Sequence, residues 1–207
     1  MVTQAIQPPI LDSFEPPPFP VRRWTVAEYE HLIDIGVLGE EDKVELLEGW
    51  IVPKMTHNAP HDSAIQRLMD RLFRRLPEQW SVRVQSAITT SDSVPEPDVS
   101  IVPGPVGLFD IRRPTTGDLE LVIEVAHTTL RMDRRKRAIY AAANIPVYWI
   151  VDLTNRVVEV YSQPSTVAGK YGREEKFIEG DVVPVVVAGK VVCEVCVDDI
   201  LPAKVSD

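Results

Sequence analysis

The segment Leu121 to Ala126 reads Leu-Val-Ile-Glu-Val-Ala and is apolar on both alternating faces except at Glu124. A strand that is apolar on both faces belongs at the centre of a sheet, covered on both sides. An ionised carboxylate in such a position is costly unless it is paired or binds a metal. The region 119–126 therefore predicts a central strand whose buried acid needs a partner.

The neighbouring segments predict an α/β (α+β) fold with a mixed sheet flanked by helices. Apolar residues recur at helical spacing from His61 to Leu76. The expected core order is helix, three strands, helix, strand, preceded by an N-terminal hairpin around Glu48-Gly49. We expect the hairpin over residues 44–55, strands over 82–89, 98–103, 119–126, 147–152 and 157–161, and the second helix over about 129–143.

The ends of the chain differ from this core. Residues 1–20 contain six prolines and few large apolar residues, which is typical of an extended arm. Thr25 and Glu28 have the spacing of a capping box and predict a short entry helix that stops at Gly36. We expect residues 21–207 to form a single domain with a core over about 61–162 and C-terminal strands within 177–201.

The amino-acid composition is typical of a globular protein and not of a membrane protein. Apolar residues make up 44% and charged residues 26% of the chain, close to the average for globular proteins. No run approaches the roughly 18 apolar residues of a membrane helix, and the N-terminus lacks the pattern of a secretion signal. We therefore expect a cytoplasmic protein without a membrane partner.

Asp98 is the second acid that we expect near Glu124. It follows Pro97 at the start of the preceding strand, where a carboxylate can meet the centre of an adjacent antiparallel strand. Two carboxylates on one sheet face, with backbone carbonyls nearby, suit Mg²⁺ or Mn²⁺. The alternative is structural: Asp98 caps a turn after Pro95-Glu96-Pro97, and Glu124 forms a salt bridge with an arginine.

The helix after the central strand adds a cation. Lys136 lies three residues after Asp133 and four before Tyr140, so the three share a helix face. Hydrolysis of a phosphodiester needs a metal, carboxylates that hold it, and a cation near the reacting groups. Asp98, Glu124 and Lys136 supply this set.

The same helix is strongly basic, although the net charge of the chain is −9. That net charge argues against a protein that coats nucleic acid through its overall field. Residues 131–137, however, carry a formal charge of +4. This run is either a solvated helix face or a nucleic-acid-binding surface formed by Arg131, Arg134, Arg135 and Arg137.

The ordered series of motifs resembles the Uma2 family of restriction-endonuclease-like proteins, in the PD-(D/E)XK nuclease superfamily. The series is Pro97-Asp98, Glu124-Val125-Ala126, Lys136, Tyr140 and Tyr148-Trp149-Ile150-Val151-Asp152. The resemblance covers about residues 23–162. It implies a restriction-endonuclease-like core and a Mg²⁺- or Mn²⁺-dependent endonuclease acting on DNA.

The resemblance also implies roles for individual residues. Asp98 and Glu124 would ligate the metal, with the carbonyl of Val125 as third ligand. The superfamily lysine normally lies two residues after the glutamate, where this chain has Ala126. The resemblance implies that Lys136, on the following helix, replaces it.

Four further residues are auxiliary in the family pattern. Glu45 corresponds to an auxiliary catalytic acid, and His61, Gln85 and Tyr140 correspond to residues beside the site. Each of the first three also has a structural interpretation. Glu45 is then a surface charge of the hairpin, His61 begins a helix, and Gln85 satisfies backbone groups.

Two classes of function are compatible with these features. One is a metal-dependent DNA endonuclease, which we expect to be a homodimer because duplex cleavage usually needs two active sites. The other is a nuclease-fold module that binds nucleic acid or a partner through the basic helix without cleaving. The acids favour the enzyme, since a binding module has no physical need to bury them. A small-molecule hydrolase is disfavoured because the chain lacks a phosphate-cradling glycine loop and a Ser/His nucleophile.

Overall fold

The computed structural model describes residues 20–55 and 58–204. The expected proline-rich arm, residues 1–20, falls outside this range except for Pro20, and the division into an arm and one domain stays a prediction. The helices are α1 (Val26–Asp34), α2 (Ala59–Phe73), α3 (Leu130–Ala142) and α4 (Val197–Ile200). The strands are β1 (Val44–Leu47), β2 (Trp50–Pro53), β3 (Trp80–Val84), β4 (Val99–Pro103), β5 (Leu121–Ala126), β6 (Val147–Asp152), β7 (Val157–Ser165), β8 (Lys170–Ile178), β9 (Val182–Val187) and β10 (Lys190–Cys196).

The centre of the fold is a six-stranded mixed sheet in the order β3-β4-β5-β6-β7-β8. Strands β5 and β6 are parallel and are connected through α3, while the other neighbouring pairs are antiparallel. All six residues of β5 are buried, Glu124 included. The predicted central strand and the mixed α+β fold are therefore confirmed.

Two layers cover this sheet and determine which way Glu124 faces. Helix α2 and the β9–β10 hairpin cover the face that contains Ile123 and Val125. The opposite face contains Val122 and Ala126 and packs against Tyr140 of α3. Because alternate residues of a strand share a face, Glu124 lies on the α3 side of the sheet.

The N-terminal hairpin packs beside the start of β4. Its turn has Glu48 and Gly49 at φ 48° and 78°, the left-handed pair that a tight hairpin turn requires. The backbone N–H of Val94 donates to the carbonyl of Leu46 at 2.7 Å. This contact fixes β1 against the loop that leads to Asp98. The predicted hairpin and the capping box of Thr25 and Glu28 are both present.

Several predicted boundaries are wrong. Strand β3 ends at Val84 rather than at residue 89, because Gln85 has a left-handed φ of 44° and the chain leaves the sheet there. Helix α2 begins at Ala59 behind an Asn58 cap, so His61 is its third residue and not its first. The sequence pattern also failed to indicate β8, whereas β9 and β10 lie within the expected range 177–201.

Strand β8 was missed because its sequence, Lys-Tyr-Gly-Arg-Glu-Glu-Lys-Phe-Ile, lacks the apolar alternation of a half-buried strand. It lies at the edge of the sheet, where charged side chains discourage pairing with other chains.

In the part of the chain that the structure describes, no helix has the length and apolar character needed to span a bilayer.

Candidate active site

Asp98 lies at the start of β4, where it contacts two neighbouring elements. Its Oδ2 accepts a hydrogen bond from the backbone N–H of Val125 at 2.8 Å and one from Nε2 of His61 at 3.1 Å. Both contacts cross to other elements, so the interpretation of Asp98 as a turn cap is wrong. They hold the carboxylate beside the C-terminal end of β5.

His61 lies in the first turn of α2 and is buried. Burial alone would lower the pKa of its imidazole, but the hydrogen bond and negative charge of Asp98, together with Asp62, outweigh burial and raise it. His61 is therefore more than a helix-start residue, because it orients Asp98 directly.

Glu124 is the most completely buried acid of this group. Its Oε1 accepts from the hydroxyl of Tyr140 at 2.8 Å and from Nζ of Lys136 at 3.1 Å. Its Oε2 lies 3.4 Å from the backbone N–H of Asp98. Burial raises the pKa of Glu124 to about 8, although the charge of Lys136 opposes this shift. Its partner is a lysine and not the arginine of the structural alternative.

Lys136 projects from α3 between two carboxylates. Its Nζ lies 3.0 Å from Oε1 of Glu45 and 3.1 Å from Oε1 of Glu124. Burial alone would lower the pKa of Lys136, but the charges of Glu124, Glu45 and Asp133 outweigh it and raise that pKa. The side chain is therefore a permanent ammonium ion and does not act as a base near neutral pH.

Glu45 and Asp133 complete the acidic cluster. Glu45 is 5% exposed, which excludes its interpretation as a surface charge of the hairpin. Its Oε2 accepts from the backbone N–H of Glu96 at 3.2 Å. Asp133 accepts from the hydroxyl of Thr129, and burial raises its pKa to about 6. Helical spacing placed Asp133 beside Lys136 but gave it no role.

These groups surround a cavity of about 60 Å³. A polar cavity of this size has room for water and for a hydrated cation. Gln85 also lines it, and the backbone N–H of Gln85 donates to the carbonyl of Asp98 at 3.0 Å. Three ionisable residues of the lining were not assigned to the site from the sequence: Lys54, Glu96 and His127.

The available oxygen atoms fit a hard divalent cation. Within residues 20–55 and 58–204, Oδ1 of Asp98 has no hydrogen-bond partner, and Oε2 of Glu124 has only the long contact to Asp98. Since Val99 pairs with Ile123, the residue opposite Val125 is Pro97, which has no N–H to offer the Val125 carbonyl. Two carboxylates and a carbonyl, completed by water, suit Mg²⁺ or Mn²⁺.

Side chains alone do not complete a metal site. Over the same described ranges, no group of three or more His, Cys, Asp or Glu residues is arranged to hold a metal ion. Mg²⁺ usually keeps several waters and needs only one or two protein carboxylates. The residues present therefore fit such an ion if the backbone carbonyl of Val125 takes part.

The basic helix face divides into two parts. Arg134 donates from Nε to Oε2 of the buried Glu159 at 3.2 Å, and Nη2 contacts its other oxygen. Arg137 lies 3.5 Å from Glu174 and over the ring of Tyr161. These two arginines thus face acids of β7 and β8. Arg131 and Arg135, like Arg134, are exposed on α3.

Comparisons with known proteins agree with this architecture. The profile of the Uma2 family, described as "Putative restriction endonuclease", matches residues 26–191. A solved structure described as "a putative nuclease belonging to DUF820 from Anabaena variabilis ATCC 29413" is similar, with a TM-score of 0.65 and 15% sequence identity. The likeness covers 85% of this chain and 96% of that chain, and at this identity it concerns the fold. Comparison with curated protein sequences gave no match.

Proposed function

The chain belongs to the Uma2 family, and from this membership together with the geometry of its acidic cavity we propose that it is a metal-dependent nuclease that hydrolyses DNA phosphodiester bonds. The observation that carries the proposal is the meeting of Asp98, Glu124 and Lys136 in one buried cavity. They come from the start of β4, the end of β5 and the middle of α3. Stability alone gives a fold little reason to bury acids around an ammonium ion, because apolar residues of similar volume are often at least as stable.

Asp98, Glu124 and the carbonyl of Val125 would hold the cation. When bound, Mg²⁺ or Mn²⁺ supplies a Lewis acid that lowers the pKa of water and neutralises charge on the phosphate. His61 and the Val125 N–H orient Asp98, while Tyr140 orients Glu124. These contacts fix the carboxylates before substrate arrives, which is what preorganised catalysis requires.

Lys136 acts as a fixed positive charge in this proposal. Its ammonium group lies between Glu45 and Glu124 and keeps its proton. It would stabilise the negative charge that increases on the phosphate oxygens in the transition state. Glu45 holds the ammonium group from the side opposite Glu124 and so serves as a positioning residue.

The exposed arginines support a polymeric substrate. The scissile phosphate would approach the acidic cavity from its open side while the rest of the substrate contacts the surface around it. Arg131 and Arg135 are exposed on the helix that carries Lys136. Contacts from these cations to the DNA backbone would compensate for the net charge of −9.

The test is cleavage of supercoiled and linear DNA by the purified protein in EDTA, Mg²⁺ or Mn²⁺. We expect nicked or linear products with either metal and none in EDTA. Asp98→Asn and Glu124→Gln should abolish cleavage, whereas Asp110→Asn, an exposed acid outside the cavity lining, should not. Absence of cleavage with both metals would contradict the proposal. DNA binding without cleavage would identify the chain as a nuclease-fold binding module.

A further inference from the structure

An ion pair at the mouth of the cavity has no part in holding the cation or in positioning Lys136. Lys54 directly follows β2, and Glu96 lies in the loop before β4. Nζ of Lys54 lies 2.5 Å from Oε2 of Glu96, and both residues line the cavity. We propose that Lys54 binds a phosphate group of the substrate and that Glu96 competes with this phosphate for the lysine. The inference rests on the proposed nuclease function and adds a substrate-binding residue with its own competitor.

The charge of the cavity lining creates the need for such a residue. Among the described residues that line the cavity, five are acids and two are lysines, a formal charge of −3 with histidine neutral. The acids are Glu45, Glu96, Asp98, Glu124 and Asp133. A phosphodiester carries a negative charge and is repelled by this lining. A divalent cation offsets two of these three formal negative charges.

Of these two lysines, Lys54 is the one that can leave its carboxylate partner for an incoming phosphate. The Lys136 side chain is 8% exposed and contacts two buried carboxylates, so withdrawing it would leave both acids without a cation. The side chains of Lys54 and Glu96 are 31% and 29% exposed. An ion pair with this much solvent access is weak, and a phosphate oxygen can replace the carboxylate.

The local backbone decides which partner moves. Glu96 stands between Pro95 and Pro97, whose rings fix their own φ angles, and its N–H donates to Glu45. The backbone of Glu96 is therefore held in place. The lysine has a flexible four-carbon stem. Lys54 can thus leave Glu96 for a phosphate at the mouth, while Glu96 remains as a competing anion.

The test measures binding of a fluorescein-labelled DNA duplex by anisotropy in EDTA, over a series of salt concentrations. Lys54→Ala should weaken binding about fivefold or more and lower the log-log salt slope by roughly 0.9, the value for one lost phosphate contact. Lys54→Arg should keep most of the affinity. Lys190→Ala, the same charge change at an exposed residue of the β9–β10 hairpin, should have no comparable effect.

Glu96→Gln should change DNA affinity in the opposite direction. It should tighten binding, because Lys54 loses its competitor, and most of this gain should disappear in the Lys54→Ala background. An equal gain in both backgrounds would mean that Glu96 only repels DNA, which overturns the exchange. Unchanged affinity and slope in Lys54→Ala would overturn the role of the lysine.

Cleavage kinetics separate this inference from the proposed function. With Mg²⁺ present, Lys54→Ala should raise KM and leave kcat nearly unchanged, a pattern that loss of stability alone does not produce. If the wild-type protein cuts DNA and Lys54→Ala has the same KM, only the inference about Lys54 fails. If the wild type neither binds nor cuts DNA, both proposals fail.

Discussion

Lys136 is the residue at which stability and catalysis are most closely linked. Lys136→Met keeps an unbranched side chain, one atom shorter, and removes the charge that contacts Glu45 and Glu124. We expect the metal-free variant to lose about 3–5 kcal/mol of stability, since breaking a buried ion pair leaves an uncompensated charge. Cleavage at saturating Mg²⁺ should slow at least about a hundredfold, roughly 2.7 kcal/mol.

Urea denaturation and single-turnover cleavage rates check these two effects. Lys190→Met is the matched control, because Lys190 is exposed and outside the cavity lining. A Lys136→Met protein that cuts DNA at the wild-type rate would show that the ammonium group has no role in catalysis.

The buried acids also predict how stability depends on pH. Burial raises the pKa of Glu124 from 4.5 to about 8, so the folded state binds a proton more tightly than the unfolded state does. This contribution to stability is fully present below pH 4.5 and is lost as the pH rises through about 8. Asp133, with a pKa raised to about 6, acts in the same direction.

We therefore expect the free energy of unfolding in EDTA to fall between about pH 5 and pH 8. Glu124→Gln removes the larger of the two titrations and should flatten this decrease. Urea denaturation at several pH values measures both proteins. Stability that rises over this range in the wild type would contradict the assignment of raised carboxyl pKa values.

At the scale of elements, α3 is held to the sheet by Arg134. Glu159 of β7 is 1% exposed and accepts hydrogen bonds from Arg134 and from the hydroxyl of Tyr161. Arg134→Ala should cost about 1–2 kcal/mol of stability, less than for a fully buried pair, because the arginine is partly exposed and Tyr161 remains. It should change the salt dependence of DNA binding little.

Arg131 and Arg135 should behave in the opposite way. Alanine at both positions should lower the log-log salt slope by roughly 0.9 for each lost phosphate contact. Thermal melts and anisotropy titrations on the two sets of variants make the comparison. A large change of slope in Arg134→Ala, with none in the double variant, would contradict this division of the helix.

The elements differ in how far the sequence predicts them. Strand β5 and helix α3 are predicted because burial on one or both faces determines their apolar pattern. Strand β8 is solvated and charged at the sheet edge, so no pattern marks it. The end of β3 depends on the left-handed backbone of Gln85, and a glutamine there gives no signal.

The residues of the site also differ in this respect. Sequence spacing groups some of them, and only tertiary packing brings the others together. Asp98, Glu124 and Lys136 lie within 39 residues of sequence, and strand and helix spacing, with the family resemblance, is enough to group them. Lys54 and Glu96 are 42 residues apart and meet only because the hairpin packs against the loop before β4. Tertiary packing brings them together, which spacing rules do not describe.

At the scale of the whole molecule, cleavage of both strands of a duplex depends on the oligomeric state of the protein. We propose a homodimer, because one active site of this kind cleaves one phosphodiester bond at a time. Early products from supercoiled DNA should then include linear molecules, and sedimentation velocity should give twice the monomer mass of 23.2 kDa. A monomer that only nicks would contradict the dimer and leave the nuclease proposal intact.

The central claim is that Asp98 and Glu124 hold a divalent cation, and calorimetric titration with Mn²⁺ tests it most directly. The wild type and Asp110→Asn should bind Mn²⁺ and gain about 2.7 kcal/mol of stability at a hundred times Kd. Asp98→Asn and Glu124→Gln should stay folded and lose both the binding heat and the gain in stability. Unchanged Mn²⁺ binding in both of these variants would contradict the metal site and the mechanism built on it.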